Sequence, residues 1–168
     1  MSITSTAPAV RDARSYLTPA EFAGVSATVQ KDNPDMTRPV ADRITAEALK
    51  FVAVAAEGAK GIAPSRIVDE GWHALILHTD LYARLCDRLG GGFVHHYPEL
   101  PGPGRYDPEF IDRTMAALQA AGYSVDRELW VAPDATLIEV SAKCQHSPNC
   151  GPIEPGPKPV CLPAPSSR

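Results

Sequence analysis

The stretch from Ser65 to Leu89 constrains the fold more than any other part of the chain. It is a long helical pattern that stops abruptly at Gly90-Gly91-Gly92. Through its middle, apolar side chains fall on nearly every face. A helix of that kind must be buried among other elements. Yet it carries Asp69, His73 and His78 within this apolar setting. The sequence therefore predicts a central buried helix with polar groups held inside the fold.

The rest of the chain supplies its packing partners. Thr18-Pro19-Ala20-Glu21 is a helix start, with Thr18 as N-cap, Pro19 at the first helical position and Glu21 completing a capping box. Phe22, Val25 and Val29 form its apolar stripe, and Asp32-Asn33-Pro34 ends it. A second helix is predicted from about Pro39. Ile44, Ala48, Phe51, Val52 and Ala55 recur at core-facing intervals, and Gly58 and Gly61 stop it. A further helix is expected after Asp107-Pro108, with Ile111, Met115, Leu118 and Ala121 on one side and Gly122 at its end. Residues 125–140 read as a short helix or a small β element. The predicted class is mainly α: a compact bundle of about four helices, a small irregular or β element near 125–140, and an extended proline-rich C-terminal tail.

Composition sets the limits. The 168 residues suffice for one domain with a core of its own, and 44% of them are hydrophobic. The net charge of −4 argues against an electrostatic nucleic-acid binder. The longest apolar run, near Phe51 to Ala56, is too short to span a bilayer. With no basic or apolar leader after Met1, the expected location is cytoplasmic. Residues 1–16 read as a flexible arm, 17–143 as the helical domain, and 144–168 as the tail. That tail holds seven of the 17 prolines and three of the four cysteines.

Four of the five histidines lie between positions 73 and 96. Asp69 and His73 are one helical turn apart and share a face. His78 lies about 140° further round. His78, Tyr82 and Cys86 are spaced by fours and form a second polar line. The glycine turn can fold His95 and His96 back beside the helix. Imidazole nitrogens and a carboxylate can supply three positions around iron or zinc and leave others open. Asp69, His73 and one of His95 or His96 make such a set. In an extended segment neighbouring side chains diverge, so one of the pair is expected at the site, with His96 preferred. His78, Tyr82 and Cys86 are the expected catalytic or pocket-lining groups. The same residues also admit a structural reading, in which Asp69–His73 is a packing pair, Tyr82 a packed ring and Cys86 a small buried hydrophobe.

The string Val68-Asp69-Glu70-Gly71-Trp72-His73, followed by Tyr82, Cys86 and His95-His96-Tyr97-Pro98, resembles the signature of the glycine-rich-domain-like proteins. The correspondence falls on Asp69, Trp72, His73, Tyr82, Cys86, His95, His96 and Pro98. It covers about residues 65 to 98. Many members of that family carry a second His two places after the first, where this chain has Leu75. The resemblance implies a polar site on these residues and no particular reaction.

The tail offers a second candidate. Cys144, His146 and Cys150, with Cys161 further on, could bind a soft metal ion, and Cys144 and Cys150 could instead form a disulfide. Three functional readings follow. The chain is a small helical metalloprotein acting on a small molecule. Or it is a non-catalytic module that recognises a protein partner and uses the motif to secure its core. Or its tail serves as a metal-delivery arm or a modified peptide.

Overall fold

A computed structural model describes residues 10–96, 109–131 and 138. Five α-helices make up the described residues: α1 (Pro19–Asp32), α2 (Arg38–Ala56), α3 (Arg66–Leu77), α4 (Thr79–Leu89) and α5 (Phe110–Ala120). Two short 3-10 helices, Ala13–Tyr16 and Arg127–Leu129, complete them, and there is no strand among the described residues. The mainly helical class is as the periodicity predicted. Asp107-Pro108, most of residues 132–140 and the whole tail lie outside the described residues.

Local chemistry starts the helices. The Thr18 hydroxyl accepts from the Glu21 amide at 3.2 Å while Glu21 accepts from the Thr18 amide at 2.9 Å, the reciprocal bonds of a capping box. Ser65 caps α3, accepting from the Val68 amide at 3.1 Å and donating to the Leu129 carbonyl. That second bond ties the start of α3 to the turn after α5.

The hub of the bundle is α2. Thirteen of its nineteen residues are buried, and it packs against each of the other four α-helices. Against it lies α3, with eight of twelve residues buried. The two approach closely at Gly71, where a Cβ would stand 2.8 Å from both the Ala48 Cβ and the Ile44 carbonyl oxygen. Glycine there lets the helix carrying Asp69 and His73 lie flush on the hub.

The structure differs from the expected pattern in two places. The single helix predicted from Ser65 to Leu89 is broken at His78, which takes ψ 63° between α3 and α4. The His78 ring reaches across to α1, with its Nε2 2.9 Å from the Thr28 hydroxyl. The break re-aims the second half, which is amphipathic: Leu81, Tyr82, Leu85 and Cys86 are buried, and Ala83, Arg84, Asp87 and Arg88 are exposed. The other difference concerns the N-terminal segment expected to be a loose arm. Its described part, from residue 10 on, is docked. Ala13 is fully buried, the Arg11 amide donates to the Gly122 carbonyl at 3.0 Å, and the Tyr16 and Tyr123 hydroxyls lie 2.8 Å apart.

At the end of α4, Gly90 adopts φ +74°, the left-handed cap that glycine favours. The chain then crosses the end of α2 so closely that a Cβ on Gly91 would fall 1.5 Å from the Ala56 carbonyl oxygen. Residues 91–96 run on as a strap against α3 and α4, anchored by Val94, which is fully buried.

Candidate metal centre

Asp69 and His73 come from successive turns of α3, and His96 from the strap. Their side chains meet. The His96 Nε2 lies 2.9 Å from Asp69 Oδ1 and 2.9 Å from the His73 Nε2, and the His73 Nε2 is 3.3 Å from Asp69 Oδ2. The carboxylate is completely buried, the His96 side chain is 8% exposed and that of His73 is 33% exposed. Solvent therefore reaches the cluster from the His73 side, and the carboxylate forms its floor. These three residues form a group of a kind able to hold a metal ion.

Protons alone serve this arrangement poorly. Two ring nitrogens face each other at hydrogen-bond distance, and both face the same carboxylate. One hydrogen can lie along only one of the three contacts, and two N–H groups aimed at the carboxylate oxygens leave the nitrogen–nitrogen contact without a hydrogen. A cation in the middle satisfies all three at once. The separations also suit one. Ligand atoms at right angles around a metal with bonds of about 2.1 Å lie about 3 Å apart, and tetrahedral ligands lie somewhat further apart.

Aromatic packing holds the cluster in place. The Trp72 ring stands 4.6 Å from that of His96 and 5.0 Å from that of Phe51. The His73 ring also lies against His96, with the ring centres 4.6 Å apart. Trp72 Nε1 donates to the Tyr82 hydroxyl at 2.9 Å, and Tyr82 donates to the Val94 carbonyl at 2.6 Å.

The remaining expected site residues fall elsewhere. His95 is exposed, with its ring 4.9 Å from that of Phe93, and is not part of the group. This follows from the alternation of an extended strap: His96 turns inward and His95 outward. His78 sits at the α3–α4 break, bonded to Thr28, and so belongs to the α1 contact rather than to a pocket beside the cluster. Tyr82 and Cys86 do share a face of α4, but both are buried at 1% exposure. Burial pushes the Tyr82 phenol and the Cys86 thiol above their ordinary ranges, so each keeps its proton. The Tyr82 proton is further committed, because an indole N–H can only donate to the oxygen and the Val94 carbonyl can only accept from it. Cys144, His146, Cys150 and Cys161 lie outside the described residues. Sequence spacing gave no sign of the Trp72–Tyr82 contact, because the break at His78 creates it.

Fold and site together define a small helical domain with one candidate mononuclear metal centre, built from a buried carboxylate and two imidazoles. The chain belongs to the UCP032817-like family, whose pattern matches residues 13–101. That span runs from the docked N-terminal segment through α1 to α4 and the strap. It corrects the expected kinship with the glycine-rich-domain-like proteins: the family matched over these residues is a different one, and no role passes to Asp69, Trp72, His73 or the others from that resemblance. None of the curated proteins and none of the solved structures matches the chain. Among the described residues, no helix is long and apolar enough to cross a membrane.

Proposed function

We propose that Asp69, His73 and His96 bind a single iron or zinc ion, and that the ion serves chemistry on a small molecule reaching it from the His73 side. The observation that carries this reading is the convergence of the two Nε2 atoms and the carboxylate within 3.3 Å of one another. Two imidazoles and one carboxylate leave coordination positions open, and such a set suits iron(II) or zinc. An ion so held acts as a Lewis acid toward a bound carbonyl or phosphoryl group, or lowers the pKa of a bound water. The buried Asp69 charge favours a cation over a neutral guest. The free thiol of Cys86 is compatible with a reducing compartment, and we retain the cytoplasm as the proposed location.

The test is metal content. Wild-type protein, His73→Ala and His96→Ala are each equilibrated with zinc(II) or iron(II), desalted, and assayed by elemental analysis. The expected result is about one ion per wild-type chain and a large loss in both variants. Equal, near-zero metal in all three would sink the proposal. It would leave the cluster as a polar joint that fastens the strap to α3 in a protein-interaction module.

A further inference from the structure

We infer that the Tyr82 hydroxyl clamps the backbone of Val94, with Cys86 packed one turn on, and thereby holds His96 in register with Asp69 and His73. Tyr82 is a positioning residue that acts on the site through Val94. The inference rests on the metal-site reading for its functional meaning, and its experiment has one arm that does not depend on metal.

Of the three ligands, two are secured by α3 itself. His96 is not. It sits on a strap with no regular secondary structure, seven residues after the last helical residue, Leu89. Something must fix the strap, and the contacts concentrate on one residue. Val94 is fully buried, and its carbonyl accepts the Tyr82 hydroxyl at 2.6 Å. The Cys86 side chain, 1% exposed, is buried on the same face of α4 one turn on from Tyr82. Tyr82 and Cys86 lie one turn apart on α4, so removing the thiol loosens the packing beside the Tyr82 ring. Trp72 completes the arrangement: its N–H fixes the direction of the Tyr82 hydroxyl, and its ring lies against His96. A chain of contacts thus runs from α4 through Val94 to His96, and a parallel one runs through Trp72. Outer residues that orient a metal ligand commonly change affinity 10- to 100-fold when removed.

The experiment uses Tyr82→Phe, which deletes one oxygen and keeps the ring. Cys86→Ala is the second variant, and Ser26→Ala is the control. Ser26 gives up a comparable buried hydrogen bond, to Thr45 at 3.1 Å, on the α1–α2 contact. Two readouts are taken on folded protein: the dissociation constant for cobalt(II) from its visible absorption, and the rate at which diethyl pyrocarbonate modifies His96, located by mass spectrometry. Tyr82→Phe should raise the cobalt dissociation constant at least about tenfold and speed His96 modification. Cys86→Ala should shift both the same way by less, and Ser26→Ala should shift neither. Wild-type affinity and wild-type His96 reactivity in Tyr82→Phe would overturn the clamp. If wild-type protein binds no cobalt, the metal reading falls and the clamp is judged on His96 reactivity alone. Unchanged reactivity in both variants would then overturn it.

Discussion

Two buried carboxylates, one on α2 and one on α3, have opposite surroundings. Glu47 on α2 is encircled by donors. Lys50 Nζ and the Asp126 amide bond its Oε1, and Trp130 Nε1 donates to its Oε2 at 2.8 Å. Asp69 on α3 is faced by two imidazole Nε2 atoms, groups that can accept as readily as they donate. The Glu47 cluster contains its own cation and needs nothing added. The Asp69 cluster gathers two ring nitrogens and a carboxylate around one point. Burial of a carboxylate is therefore a poor guide to function, and the character of what faces it is a better one.

The largest effect should come from breaking the closed cluster. Glu47→Ala leaves the Trp130 N–H without its acceptor and the Lys50 ammonium, 12% exposed, without its counter-charge, with the Ser124 carbonyl as its remaining partner. Removing one partner of a buried pair costs about 3–5 kcal/mol. Chemical denaturation should show that loss, while zinc stoichiometry of the folded fraction stays at the wild-type value. Loss of metal from folded Glu47→Ala would erase the distinction between the two clusters.

Gly71 is the joint between them, and it comes next in size. An alanine there gains about 0.5–1 kcal/mol of helix propensity. Its Cβ would meet Ala48 and the Ile44 carbonyl at 2.8 Å, and backbone cannot move aside cheaply. Overpacking of that kind costs about 1–3 kcal/mol, so the net change in Gly71→Ala should be destabilising. The displaced α3 should also bind cobalt(II) more weakly. A variant as stable as wild type would show that the helices separate without strain.

Asp69→Asn turns the comparison around. It keeps the shape and removes the charge, so metal-free stability should change by less than about 1 kcal/mol, because exchanging buried charge for a similar neutral group is often near neutral. The contrast appears on adding zinc. A ligand at a thousand times its dissociation constant stabilises the folded state by about 4 kcal/mol, which wild type should gain and Asp69→Asn should lose. A large drop in metal-free stability would instead make Asp69 a structural group like Glu47.

What the sequence showed of all this depended on the range of the interactions. The capping box of Thr18 and Glu21 and the burial of Trp72 and Leu81 were legible because they depend on residues within a turn or two, whereas Leu77, which the same apolar pattern would bury, is 66% exposed where α3 ends. The pairing of Asp69 with His73 could be read from helical spacing alone. The break at His78 could not, since its bond goes to Thr28, fifty positions away. That break also changes what surrounds Tyr82 and Cys86. Aligned with His78 on an unbroken helix, they resemble a row of reactive groups. On the re-aimed α4 both are buried, and the Tyr82 hydroxyl bonds the Val94 carbonyl. Glu47 went unremarked because a single Glu in an alanine-rich helix looks like a solvated position, and its partners Trp130 and Asp126 lie some eighty residues on.

The smallest expected effect lies at the rim of the closed cluster. Asp126 bonds the Arg43 guanidinium through both oxygens, at 2.6 and 2.9 Å, and Glu128 bonds it too. The Arg43 hydrogen bonds are the leading reason the Asp126 carboxyl is held below its ordinary value. A carboxyl lowered in the folded state contributes stability above its unfolded pKa, and that contribution fades as pH falls through the folded value. Both partners are partly exposed, at 37% for Arg43 and 26% for Asp126, so screening keeps the contribution under about 1 kcal/mol. Arg43→Met should therefore be slightly less stable than wild type at pH 7, and the gap should close as pH falls below about 4. Denaturation midpoints taken from pH 7 to pH 2 measure it. A gap that stays constant to pH 2 would mean that Arg43 acts through the packing of its stem over Asp126, and that the rim, unlike the Glu47 cluster behind it, is not held by charge.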